Sequence, residues 1–522
     1  MAFHLPAVTR TLLLLLLITG VITSTTLATL PTQQNDETLL DIPRLTTLLS
    51  PSAQLLLPTD PNFNTTLDRW STSPLNSPRP SLLVLPTTES DISHAICYAD
   101  SHNLPFLATS GGHGTNEYLS DLHGGVVIHL RNLTKFELAP AGDGGTVAIL
   151  GGGLLSHQVM EGLWRQGKQT VTGMCGCVSY SGPALGGGHG TLQGRYGLVV
   201  DQIVSARMVL GDGRVVVASE RENEDLFWAL RGAGHNFGVV SEFTVRVHDV
   251  EENMKNWAWE RFVFGRERLE QLYEVANGMM EDQPEYVNVF SSWSILEEVD
   301  PDRPMIVFIV FCNGPMEDCR EYTQPIHDLG AVDHRSGVTE LPGIDEVLNL
   351  DVNDPQCQPQ GTVLMRGVYV DRYDIDTLRN WWEVFSDMLA TEPAFANSIC
   401  LLEGYSMQGV QVVPSDSTAF AHRDKRLLFS PVVGYSVVGN STLDREAERW
   451  SKALETAAAG SAERRVYVNY ALGDESLQAI YGRRDEPWRL ERLRALKRKY
   501  DPNNRFRFFS PIVRDGTPED TM

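Results

Sequence analysis

The stretch 172–201, TGMCGCVSYSGPALGGGHGTLQGRYGLVVD, decides how the rest of the chain is read. It holds two cysteines, Cys175 and Cys177, and glycine at Gly186, Gly187, Gly188 and Gly190, with almost no charge. Backbone without Cβ atoms can adopt φ > 0 and lie close against a ligand face. Its N–H groups are then free to meet an anion such as a pyrophosphate. Taken alone, the stretch reads equally as a glycine-rich turn beside two buried thiols. A second stretch shifts that balance. Ser110, Gly111, Gly112, His113 and Gly114 follow the apolar run Leu104 to Ala108. One glycine-rich loop thus carries a histidine and the other carries cysteines, side chains that are nucleophilic near neutral pH.

These two loops, in this order and spacing, resemble the FAD-linked oxidases with a para-cresol methylhydroxylase-type flavin domain, in particular the berberine bridge enzyme-like branch. The likeness runs from about Arg79 to His248 and returns near Tyr467 to Ile512. It implies FAD as cofactor, bound along Ser110, Gly111, Gly112 and Gly114, along Gly186, Gly187 and Gly188, and at Gly238 and Val239. It also implies that His113 is bonded to the flavin 8α-methyl and Cys175 to C6. Cys177 competes for the second role, because the residues alone do not say which thiol is buried and which is linked. By analogy, two links raise the flavin's reduction potential and open the site to bulky substrates. The family commonly has an arginine just before the Ser-Gly-Gly-His loop, where Thr109 stands here. Val178, three residues after Cys175, resembles the oxygen-accepting members; as plain core it would carry no such meaning.

Oxidising a substrate needs a base for the O–H or N–H proton while hydride leaves carbon. Tyr467-Val468-Asn469-Tyr470 resembles the family's Tyr-x-Asn segment, so Tyr467 is the candidate base or substrate-orienting phenol and Asn469 a flavin contact. A phenol with a pKa of about 10 is a poor base unless a cation or the flavin perturbs it. Relatives carry a Glu or Gln shortly after a His-Arg pair. His422-Arg423 matches the pair, but Pro431, after Ser430, falls where the carboxylate or amide is due. His189 and Glu403 are weaker candidates and are read as structural.

With 522 residues, 42% hydrophobic and 21% charged, the chain has the composition of a globular protein of two or three units. Its formal net charge of −24 repels nucleic acid and anionic membranes. No nucleic-acid partner and no stable membrane association are expected. Arg10, the apolar run Leu12 to Ile18, and Thr26-Leu27-Ala28 read as a cleaved secretory signal over residues 1–28, the run being too short to span a bilayer. Asn64, Asn132 and Asn440 begin sequons open to N-glycosylation on that route. Seven cysteines do not make a disulfide scaffold, and their pairing cannot be read. With no Cys-x-x-Cys or His-Glu-x-x-His pattern, no metal site is expected.

The expected fold class is α+β: a two-subdomain flavin domain plus an antiparallel-sheet substrate domain backed by helices. Residues 29–78 read as an extension with a short helix near Leu45 to Leu57, and 79–250 as the flavin domain. Thr88 caps a helix there, and Gly211-Asp212-Gly213 turns a hairpin. A nicotinamide Rossmann domain is disfavoured, since Ser156 stands where the third glycine after Gly151 would be. Residues 251–455 read as the substrate domain. Residues 456–515, with a strand over Arg464 to Leu472 and a helix over Trp488 to Tyr500, return to the flavin domain. The expectation is a secreted FAD-dependent oxidase passing hydride from a small organic substrate to flavin and electrons to molecular oxygen, in secondary metabolism. The alternatives are a carbohydrate oxidase and an oxygen-blind dehydrogenase or cyclase.

Overall fold

In the structure, a computed structural model, residues 41–142 and 144–514 are described. The expected signal and its cleavage site lie outside them. The first sheet holds the strands β1 (Gln54–Leu56), β2 (Leu82–Leu85), β3 (Phe106–Thr109) and β4 (Val126–His129), in the order β1-β2-β4-β3. Strands β2, β4 and β3 are parallel, and β2 is buried along its whole length. A crossover helix, Glu89–Ser101, connects β2 to β3; Thr88 accepts from the Asp91 N–H and Asp91 closes the reciprocal cap.

The extension is not a loose leader to this sheet. Its helix is Ile42–Leu48, and residues after Pro51 form β1, with Gln54 opposite Leu85. The expected helix to Leu57 gives way because the open edge of β2 offers the backbone a ladder, and Pro51 interrupts helix bonding.

The next strands are β5 (Phe136–Pro140), β6 (Thr146–Gly151), β7 (Lys168–Gln169), β8 (Ile203–Val209), β9 (Val215–Ser219), β10 (Val239–Arg246) and β11 (His248–Asp249). Five make an antiparallel sheet, β5-β6-β10-β8-β9, and β7 pairs with β11. The β8–β9 hairpin turns at Gly213, φ +81°. The helices Ser156–Trp164 and Glu224–Ala233 pack Val159, Leu163, Phe227 and Leu230 into the core under this sheet.

From residue 256 the chain builds β12 (Asn256–Phe264), β13 (Val287–Leu296), β14 (Asp300–Asn313), β15 (Asp333–Glu340), β16 (Thr362–Met365), β17 (Val368–Val370), β18 (Ile399–Gly404) and β19 (Leu427–Tyr435). They form one antiparallel sheet, β15-β12-β14-β13-β18-β19-β16, with β17 also on β19. Helices Leu269–Glu281, Met316–His327, Ile375–Thr391 and Ser441–Ala459 cover one face. The other face joins the flavin-side core through Trp257, Ile309 and Phe311. The helix Met316–His327 and the strands β15 and β18 are not among the elements expected from sequence.

The C-terminal segment corrects one expectation. Residues 464–472 are not a strand: Val466 makes an isolated bridge to Val368, and Val468–Tyr470 is a 3₁₀ turn. The segment threads between the two halves, so Val466 and Val468 bury without joining a ladder. The helix Trp488–Tyr500 forms as read.

Arg423 pins this junction. Its guanidinium donates to both Asp201 oxygens, at 2.9 and 2.6 Å, and both side chains are buried. Removing one partner strands a buried charge, so Arg423→Ala is expected to cost about 3–5 kcal/mol in chemical denaturation; a loss under 1 kcal/mol would contradict that role.

Candidate active site

Strand β3 ends at Thr109 and delivers the Ser110–Gly114 loop onto the second glycine-rich segment. The approach is tight. A Cβ at Gly111 would lie 2.6 Å from the Ser179 nitrogen, and Gly112 has φ +72°. Ser110 Oγ donates to the Gly152 carbonyl at 3.1 Å, and Ser181 Oγ to the same oxygen at 2.6 Å. A Cβ at Gly114 would lie 2.9 Å from the Phe509 ring, so the C-terminal segment packs on this loop.

His113 stands at the centre. Its Nδ1 lies 3.1 Å from the Gly111 carbonyl and its Nε2 3.4 Å from Cys177 Sγ, with the ring stacked on Trp70. Burial, with nearby Arg69, pushes its pKa down to about 4, so the imidazole is neutral and nucleophilic. Cys177 is bridged to Cys357, which comes from the substrate-domain loop between β15 and β16. Cys175 remains a free thiol, 3.2 Å from Cys177 Sγ and 3.6 Å from Cys357 Sγ. The nitrogen of His113 and the sulfurs of Cys175 and Cys177 lie within 4.8 Å of one another. Burial raises the Cys175 thiol to about 11. Val178 is half-buried beside it and donates its N–H to the Cys175 carbonyl at 3.2 Å.

The helix Ser181–Gly186 ends in Gly187 and Gly188, at φ +124° and +83°. A Cβ at Gly187 would meet the Phe420 ring at 2.7 Å, and one at Gly186 would fall 2.1 Å from Asn469 Oδ1. This turn therefore sits directly against the Tyr-x-Asn segment. Tyr467 Oη accepts from Gly188 N–H at 3.1 Å and from Asn469 Nδ2 at 2.8 Å. Burial nevertheless pushes Tyr467 up to about 12, so it is a neutral phenol at neutral pH. Asn469 Oδ1 faces His235 Nε2 at 3.2 Å. Gly238 and Val239 are buried at the start of β10, against the end of β8.

The carboxylate absent from β19 has a counterpart one strand away. Leu428 of β19 stands opposite Glu403 of β18, and Pro431 opposite Cys400. Glu403 thus shares the face of Leu428, which packs with Tyr369, Phe420 and Tyr467. Tyr405 donates to Glu403 Oε2 at 2.7 Å. Burial pushes the Glu403 carboxyl up to about 7, against the Tyr405 and Tyr470 phenols that favour its charged form. His189 bridges Gln193 and Tyr369 through its two nitrogens, at 2.9 and 2.8 Å, and stacks on Tyr405. No local pattern marks Glu403, since only the strand register aims it.

The residues fit a flavin dinucleotide. Glycine positions that a Cβ would fill line both loops, and an imidazole nitrogen and a free thiol meet at one point. Beside the Ser110 loop is a cavity of about 360 Å³ lined by Thr109 to Gly112, Arg69 and Arg131. Arg69 is buried, donates to the Gly114 carbonyl at 2.6 Å, and leaves Nε without a partner. Burial lowers it to about 10, still cationic at neutral pH. Asp68 lines the same cavity but is exposed. Two guanidiniums thus stand on the loop whose preceding residue is Thr109.

Comparison with known proteins agrees. Residues 80–219 match the family described as FAD binding domain, and residues 466–512 the family described as berberine and berberine like. The FAD-linked oxidoreductase chry5 of Gibberella zeae is 37% identical over 440 residues, 83% of this chain and 85% of that protein. The FAD-linked oxidoreductase chyH of Penicillium rubens is 35% identical over 83% of this chain and 86% of its own length. Among solved structures, Physcomitrella patens BBE-like 1 superposes with a TM-score of 0.75 at 22% identity, covering 90% of this chain and 97% of that one. A xylooligosaccharide oxidase from Myceliophthora thermophila superposes equally well, TM-score 0.75 at 21% identity, over 90% and 98% of the two chains.

The Cys177–Cys357 bridge spans 180 residues and ties the cysteine loop to the substrate domain. Cys357→Ser should add one thiol to the titration of the denatured protein and cost about 2–5 kcal/mol of stability. A thiol count lower by one would mean that Cys357 is unpaired.

Proposed function

The chain belongs to the berberine bridge enzyme-like FAD-linked oxidoreductases, and from that premise we propose that it oxidises a small organic substrate at a C–H bond next to O–H or N–H, as an oxidase. The observation carrying this reading is the meeting of His113 and free Cys175 at one glycine-lined point. On this reading His113 and Cys175 are the two covalent anchors, and bound FAD supplies a two-electron acceptor.

The protein's own groups divide the remaining work. Tyr467 stays protonated and, held by Gly188 N–H and Asn469, orients the substrate as a hydrogen-bond donor. Glu403, poised near neutrality, takes the proton from the substrate O–H or N–H as hydride leaves the adjacent carbon. Tyr369, Phe420, Leu428 and Met407 form an apolar and aromatic wall. That wall favours an apolar secondary metabolite over a sugar. Half-buried Val178 beside Cys175 supports access of molecular oxygen and release of hydrogen peroxide. The N-terminal signal reading makes the enzyme secreted and glycosylated.

The test is turnover under air with a substrate found by anaerobic flavin bleaching. One peroxide per substrate oxidised is expected; turnover only with an added electron acceptor would make the enzyme a dehydrogenase. A base works deprotonated, so kcat/KM should rise with pH through about 7. Glu403→Gln should abolish that limb and lower kcat/KM by roughly 10²–10⁴-fold. Full activity with the limb intact would remove Glu403 from this role.

A further inference from the structure

Glu260, in the middle of β12, is fully buried on the helix-covered face of the substrate sheet. Two imidazoles converge on its carboxylate. His327, the last residue of the helix Met316–His327, places Nε2 3.2 Å from Oε2. His334, on the edge strand β15, places Nε2 3.1 Å from Oε1. All three donor atoms lie within 4.8 Å of one another. The scaffold holds them in place. His334 is directly opposite Phe262, and Phe262 stacks on His334 while meeting His327 edge-on, at 4.7 and 4.9 Å between centroids. Thr323, one helical turn before His327, donates to Glu260 Oε2.

We propose that Glu260, His327 and His334 form a binding site for a divalent transition-metal ion of the zinc class. Zinc bonds of about 2.0–2.2 Å at tetrahedral angles set neighbouring donor atoms about 3.3 Å apart; His327 Nε2 lies 3.2 Å from one Glu260 oxygen, His334 Nε2 lies 3.1 Å from the other, and one donor atom from each residue falls within 4.8 Å of the rest. The donor set, two imidazoles and a carboxylate with a fourth position left for water, is one that zinc takes. A divalent ion also answers the buried charge. The Arg320 guanidinium, 3.9 Å from Glu260 and 60% exposed, stands at the rim of the site, while Thr323 and the two imidazoles contact the carboxylate itself. The imidazoles are partly exposed, at 30% and 34%, so an ion has a path in.

This site is separate from the redox centre. Glu403 lies three strands away, roughly 14 Å at about 4.8 Å per strand, and on the opposite face, since its neighbour Leu402 packs with Phe262 under the helices. An ion here clamps the helix end and the edge strand to β12. Nothing in sequence marks it, because the three ligands stand at positions 260, 327 and 334 and meet only through strand pairing and helix packing.

The test uses the flavin-loaded protein, stripped of metal by chelator and titrated with zinc chloride by calorimetry and thermal unfolding. Wild type is expected to bind one equivalent and to unfold at higher temperature when it does. His327→Ala/His334→Ala should lose both effects while keeping the flavin spectrum and turnover; the exposed single change His334→Ala serves if the double variant folds poorly. No zinc bound by wild type, or binding undiminished in the variants, overturns the proposal.

Discussion

The Cys177–Cys357 bridge is the constraint on which the candidate site depends. It joins the loop after β7 to a loop of the substrate domain 180 residues later, and the cysteine loop comes to rest against His113. With one sulfur of the Cys-Gly-Cys pair committed to that bridge, Cys175 is the thiol left free. Its position is set from both sides: Gly176 donates to the Leu350 carbonyl, and the His157 N–H donates to Gly176 in return. A pair of loops that would otherwise be independent surface turns becomes one rigid junction between two halves of the molecule.

Burial sets the charge states around that junction. His113, His189 and His235 are each held neutral at about 4, and the phenols of Tyr369, Tyr405 and Tyr470 are raised well above their usual value. In such surroundings a carboxylate is the costly group, and Glu403 shows that cost as a pKa near 7. The stacked and edge-on rings of His189, Tyr405 and Tyr467 hold the walls. The polar groups facing the centre are thus few, fixed and mostly uncharged, an arrangement suited to hydride transfer away from water.

What could be read from the sequence was what is encoded locally. The two glycine-rich loops, the Tyr-x-Asn segment, the Thr88 cap and the β8–β9 hairpin each place their chemistry within a few residues, and the α+β class followed from them. Positions defined by register or by long-range packing were not readable. Glu403 gains its orientation from lying opposite Leu428, Arg69 reaches the Ser110 loop from the extension, and Cys357 sits in a polar loop with no pattern of its own. Residues 464–472 misled for the opposite reason: their apolar content is that of a strand, but they meet the sheet at the isolated Val466–Val368 bridge without extending it into a ladder, and are buried by neighbours on both sides.

The central claim is that two side chains distant in sequence anchor one flavin. Peptide mapping by mass spectrometry of the purified native protein tests it most directly. The account predicts a single flavin joining the peptide that carries His113 to the one that carries Cys175, with Cys177 recovered in disulfide linkage to Cys357. Flavin released intact by acid precipitation, or found on Cys177, would contradict it.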